Sequence, residues 1–233
     1  MIKKLFALCL ALFLGCTGAF ADDKEPYWNF QKAANVQQTI DETGFKLLNA
    51  NKLDKIIVFS HNKKRNIVKE KMTWVKREVI VYDKDLIHAQ SDDELAALLA
   101  REVSLSMRTY DGSIGGIISA LQVKMSPKKY ELVADKRAVD YMVTAGYNPL
   151  GLITYIVKSA PQKKQDAISS HNLTSKRLMH IYEHIYFKYP CYLVNNTYID
   201  NEYYQHFLLS SIENRRKLEV KIKTKDKGRV DYE

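Results

Sequence analysis

The segment that most limits what this chain can fold into begins at Ser91-Asp-Asp-Glu94. Ser91 is a natural N-cap and Glu94 follows three residues later, the spacing of a capping box, so a helix starts here. It continues through Leu95-Ala-Ala-Leu-Leu-Ala100 and Arg101-Glu-Val-Ser-Leu105 until Asp111-Gly112 and Gly115-Gly116 break it. A second helix runs from about Lys128 to Ala145. It stops at Gly146-Tyr-Asn-Pro149, where Gly supplies the C-cap and Pro starts the next helix, over 150–158. Val36, Ile40, Phe45, Leu47 and Leu48 mark an imperfect amphipathic helix over 34–50, and 174–186 forms another. Lys55-Ile-Ile-Val-Phe59 reads as a buried strand, the segment through Trp74 as a second, and Glu78-Val-Ile-Val-Tyr82 as a β-branched third.

The start of the chain stands apart from this pattern. Lys3 and Lys4 precede an apolar run from Leu5 to Leu14, and Ala19-Phe20-Ala21 follows. A basic start, a short apolar centre and a small-x-small exit describe a secretory signal peptide, cleaved after Ala21. The run is too short for a permanent transmembrane helix. The expected location is periplasmic, or elsewhere in the cell envelope. A second reading makes Cys16 a lipid attachment site, although Phe13 stands where a lipoprotein signal usually carries Leu. On cleavage Cys9 and Cys16 leave with the leader, and Cys191 alone remains. No internal disulfide can then form, so stability must come from packing. Cys191 is expected to be a partly buried apolar residue rather than a nucleophile.

Packing is within reach of this composition, with 46% hydrophobic and 27% charged residues in a 233-residue chain. The formal charge of +9 gathers at Lys63, Lys64, Arg65, Lys69 and Lys71 and again from Arg215 to Arg229. In an exported protein such charge suits an anionic membrane surface better than nucleic acid, and its ordinary role is a solvated face.

Three segments then fall in a meaningful order: Asp92-Asp-Glu-Leu-Ala-Ala-Leu-Leu-Ala-Arg-Glu102, Glu131-Leu-Val-Ala-Asp135 with Ala145-Gly-Tyr-Asn-Pro149, and Ser170-His-Asn-Leu-Thr-Ser-Lys-Arg-Leu178. Together they resemble the zinc metallopeptidases of the HtpX and CAAX-prenyl-protease type, peptidase family M forty-eight. Those proteins carry E-L-x-A-x-L-A-H-E-x-x-H, E-x-x-A-D, A-G-Y-x-P and H-P-x-x-x-x-R-I segments. The resemblance covers about residues 34–187. It implies an α+β fold, a mainly helical zincin-like domain with a small antiparallel sheet whose edge strand lies beside the active-site helix. Glu78, Val79, Ile80, Val81 and Tyr82 take the place of that peptide-binding edge strand. The implied domains are a leader (1–21), a metallopeptidase-like domain (22–189) and an aromatic and basic extension (190–233). In the extension, Val220-Lys-Ile-Lys-Thr224 alternates like a strand and is expected to be mobile or dependent on a partner.

Such a site needs two histidines at i and i+4 on one helix face, a Glu between them to activate water, and a carboxylate from a second helix. The resemblance puts the general base at Glu102, metal ligands at Glu131 and His171, and a supporting carboxylate at Asp135. The two helix histidines are replaced by Arg101 and Leu105. Arg keeps its proton and offers no lone pair, and Leu has no donor atom. Arg101 is expected to pair internally with Glu102 or Glu131. A rival motif, His180-Ile-Tyr-Glu-His184, matches the inverted H-x-x-E-H pattern, but that motif belongs to a different and larger fold. Its histidines are expected to be partly exposed helix residues.

Three functions follow as expectations. The first is a catalytically impaired pseudo-peptidase of the envelope that binds a peptide or protein client and needs no cofactor. The second is an active zinc-dependent metalloendopeptidase with a rearranged site. The third is a structural or interaction protein acting through its C-terminal extension.

Overall fold

Leu95 to Ala100 are all buried, as is Val103. A helix on a protein surface buries one stripe, so a helix buried all round must be enclosed by other elements. Here α3 (Asp92–Thr109) is that helix, and the fold is arranged around it. The computed structural model describes residues 35–54, 56–62, 70–72, 77–109, 127–160 and 173–233. The expected leader with Cys16, the basic cluster at 63–69 and His171 lie outside the described residues, as does the expected helix break at 111–116.

Before α3 come α1 (Val36–Ala50), β1 (Ile57–Asn62), β2 (Glu70–Met72), β3 (Arg77–Tyr82) and the short α2 (Asp83–Leu86). After it come α4 (Pro127–Thr144), α5 (Leu150–Ser159), α6 (Thr174–Lys188), the short α7 (Cys191–Val194), α8 (Glu202–Ser210) and α9 (Ile212–Thr224). The protein is mainly helical with one small sheet, an α+β arrangement. α1, α4 and α5 pack against α3, and its alanines at 96, 97 and 100 permit their close approach. No helix among the described residues is long and apolar enough to cross a membrane.

The start of α3 follows its sequence signal with one change. Ser91 Oγ accepts from the Glu94 N–H at 3.3 Å, whereas the Glu94 carboxylate reaches back to the N–H of Gln90 at 2.6 Å. Glu94 is buried and also accepts from Thr154 Oγ1 and Lys158 Nζ, both at 2.6 Å, which ties the first turn of α3 to α5. Gly151 permits this approach: a Cβ there would lie 2.7 Å from the Asp93 Cβ. Gly146, at φ 78°, ends α4 as expected, and the N–H of Tyr147 returns to Met142 O at 2.9 Å.

The sheet differs from expectation. Its order is β1-β3-β2, with β3 parallel to β1 from Ile57↔Arg77 to Asn62↔Tyr82 and antiparallel to β2 from Glu70↔Val79 to Met72↔Arg77. It is therefore mixed rather than antiparallel, and Glu78–Tyr82 lie in the central strand rather than an edge strand. The composition of β3 agrees with an interior position: Val79, Val81 and Tyr82 are buried. The outer edge of β1 is occupied from within. Gln37 of α1 donates through Nε2 to Phe59 O at 3.0 Å and accepts from the His61 N–H at 2.7 Å. One side-chain amide thus imitates one residue of a further strand. Gly44 lets α1 sit this close, because a Cβ there would overlap the Phe59 ring.

Residues 190–233 join the same core. Tyr198, Tyr204, Phe207, Leu218 and Tyr232 are buried in a continuous cluster with the residues of α3 to α6. The segment expected to alternate as a strand, Val220–Thr224, is the last part of α9. Its pattern is equally that of a helix, with Leu218 inward and Val220 exposed. Its contacts lie within the chain, where Lys221 Nζ meets Glu183 Oε1 at 2.7 Å. Cys191, expected to be partly buried, is exposed.

Replacing Gln37 by Ala removes both hydrogen bonds to the sheet edge and leaves part-buried backbone groups without partners. Urea unfolding is expected to show a loss of about 1–3 kcal/mol, with the far-UV circular dichroism of the folded state unchanged.

Candidate functional site

α3, α4 and α6 converge on a set of charged side chains that the apolar core would otherwise reject. Glu131 and Asp135 stand four residues apart on α4, so both face the same way. Asp135 is 1% exposed and Glu131 8%. Arg101 of α3 donates from Nε to Asp135 Oδ1 at 2.7 Å. From α6, Arg177 donates from Nε to Asp135 Oδ2 at 2.8 Å and from Nη2 to Oδ1 at 3.0 Å. The remaining terminal nitrogen of Arg177, Nη1, lies 3.2 Å from Glu131 Oε1. One guanidinium therefore spans both α4 carboxylates, and a second closes on Asp135 from the opposite helix.

The electrostatics agree with the geometry. Burial pushes the Asp135 carboxyl up, but Arg177 and Arg101 outweigh it and hold the group below the usual carboxylate range. Burial pulls Arg101 down, and Asp135, Glu102 and Glu131 more than reverse this, so Arg101 is firmly protonated. Glu102 is buried and forms no hydrogen bond or ion pair among the described residues, so it acts on Arg101 through its charge. The side chain of Leu105, one turn beyond Arg101, has no metal-donor atom.

The structure thus brings together Arg101, Glu102, Glu131 and Asp135, four of the residues that the sequence singles out. Arg101 was expected to meet Glu102 or Glu131 and instead meets Asp135. Glu102 is its neighbour on α3 and is rotated by about 100° from it, so it cannot share that face, whereas Asp135 comes from the helix opposite. Arg177, in the 170–178 segment, has no role among the residues that the sequence singles out. Charge counting could have found it: three buried carboxylates beside one arginine call for a second cation.

The described carboxylates of this set are already engaged by cations. Asp135 and Glu131 are already neutralised by guanidinium groups, and a dication beside them would meet two fixed positive charges. Among the described residues no group of three or more His, Cys, Asp or Glu side chains is placed to hold a metal.

His180 and His184 also go to separate partners. His184 Nε2 lies 2.8 Å from Asp140 Oδ1, an oxygen that Tyr189 Oη and Lys188 Nζ each approach at 2.9 Å. His180 is buried, not partly exposed, and packs edge-on against the Tyr232 ring with centroids 5.0 Å apart.

The chain matches no protein-family model, no curated protein and no solved structure.

Asp135→Asn removes the negative charge from between two guanidiniums, and chemical denaturation is expected to register a loss of about 3–5 kcal/mol. A pH series tests the other carboxylates. Burial pushes Asp140 up but His184, Lys188 and Tyr189 hold it at about 2. Burial likewise pushes Glu183 up, and His180 and Lys221 hold it at about 2. Both native values lie below the unfolded ones of about 4, so their stabilisation is complete above pH ~4 and lost on descent towards pH ~2. An acid titration of the melting temperature should fall steeply in that window, and less steeply in Asp140→Asn.

Proposed function

We propose that this protein is a pseudo-peptidase of the cell envelope: a metallopeptidase-type scaffold from which hydrolysis has been lost, retained to bind a protein or peptide client. One observation carries the reading. Where the resemblance would put a metal and its carboxylate ligand, Glu131 and Asp135 are held by Arg101 and Arg177 in a buried ion-pair set. This arrangement supplies the positive charge that the carboxylates need. It supplies no Lewis acid and no activated water, both of which metal-assisted peptide hydrolysis requires.

The leader-like sequence over 1–21 and the basic balance of the chain support the envelope setting. Client binding by strand addition at Glu78–Tyr82 is not part of the proposal, since that strand is the middle one of the sheet, paired with β1 along its length and with β2 up to Val79, and Gln37 bonds to the β1 edge.

Elemental analysis of the purified protein is expected to find no stoichiometric zinc, and casein should survive incubation with it. Zinc at one equivalent, removed by a chelator together with casein cleavage, would overturn the proposal. The alignment is tested separately by Arg101→His combined with Leu105→His. That variant is expected to gain zinc affinity, and a folded variant that binds none would count against the resemblance at this site.

A further inference from the structure

On the stripe of α4 and α6 next to the ion-pair set, α9 and the segment after it close a groove of about 910 Å³. Six Lys and Arg side chains line it against two carboxylates, Glu183 and Asp226. The two carboxylates offset only part of that excess. Glu183 is engaged by Lys221 at 2.7 Å, and Asp226 accepts from the Gly228 N–H at 2.8 Å. Lys129, Lys136, Lys227 and Arg229 form no ion pair among the described residues.

The groove also has an apolar side. Leu132 and Val133 of α4 line it with Phe187 of α6, and Val133 is 39% and Phe187 56% exposed. His180 forms part of the wall and is 6% exposed. Its Nδ1 is buried and faces Glu183 Oε2 at 3.6 Å.

We propose that this groove binds a phospholipid with an anionic headgroup, the phosphate among the lysines and the adjoining acyl carbons on Leu132, Val133 and Phe187. Charge complementarity selects an anion, and the exposed apolar side chains select one that carries an apolar body. A free inorganic anion would leave the apolar side unused, and a zwitterionic lipid would leave the charge excess unanswered. The proposal goes beyond the loss of hydrolysis and does not depend on it, because the groove uses a different stripe of α4 and α6.

The test uses the full-length protein and dihexanoyl phosphatidylglycerol below its micelle concentration, followed by calorimetry at physiological salt. Saturable one-site binding is expected. Lys136→Glu with Arg229→Glu should weaken it by about tenfold, and Phe187→Ala by about threefold or more, with unchanged melting temperatures. Lys84→Glu with Lys223→Glu alters the charge equally outside the groove and should leave affinity as it was. Four results would each overturn the proposal: no saturable binding, equal binding of dihexanoyl phosphatidylcholine, equal binding of glycerol phosphate, or equal loss in the control variant. The zinc and casein measurements above read none of these outcomes, so either proposal can fail alone.

Discussion

A single carboxylate, Asp135, is the point from which three helices take their relative positions. It is 1% exposed and receives three guanidinium hydrogen bonds, one from α3 and two from α6. Burying that charge alone would be prohibitive, and burying either arginine alone equally so. Together they are tolerable only in one geometry, because the planar fork of Arg177 must meet Asp135 and Glu131 at once. Apolar packing between α3 and α4 would accept small slides and rotations. The ion-pair set does not, and this gives the surrounding leucines and alanines a fixed register. Whether such a set adds net stability is a separate matter, since matched apolar groups often do as well. Its contribution here is specificity of arrangement.

The first turn of α3 shows the same logic at a second place. Glu94 accepts from Gln90, Thr154 and Lys158, and Asp93 accepts from the Asn148 N–H at 2.8 Å and from Tyr198 Oη at 2.9 Å. Acidic side chains at a helix N-terminus are favourable in themselves. Here they also fasten α5 and the segment after α7 to the central helix. The aromatic extension is consequently continuous with the core, and its tyrosines serve burial and hydrogen bonding together.

Local signals were legible in the chain, and relations between distant parts were less so. Ser91 with Glu94, and Gly146 before Pro149, mark helix ends because capping is decided within a few residues. Strand order is not local: the β-branched run 78–82 is compatible with an edge or an interior strand, and only its neighbours decide. Val220-Lys-Ile-Lys-Thr224 misled for a related reason, since five residues alternate in a way that suits either period. At the ion-pair set, the sequence indicated Arg101, Glu131 and Asp135 as residues of one site. It could not show that the arginine from α3 would reach past Glu102 to Asp135, nor that Arg177 would supply the second cation.

Gln37 has a consequence for how copies of this protein meet one another. A parallel pair with a free outer strand is a template on which another extended chain can continue the ladder, the first step of edge-to-edge aggregation. By holding the carbonyl of Phe59 and the amide of His61, Gln37 breaks the row of free groups on the β1 side. The interruption comes from the first described helix of the chain, more than twenty residues away in sequence. Until α1 has docked, β1 is open on that side; once it has docked, the row of free groups is interrupted at Phe59 and His61. The order in which these two elements form therefore bears on whether newly made chains fold singly or adhere to one another.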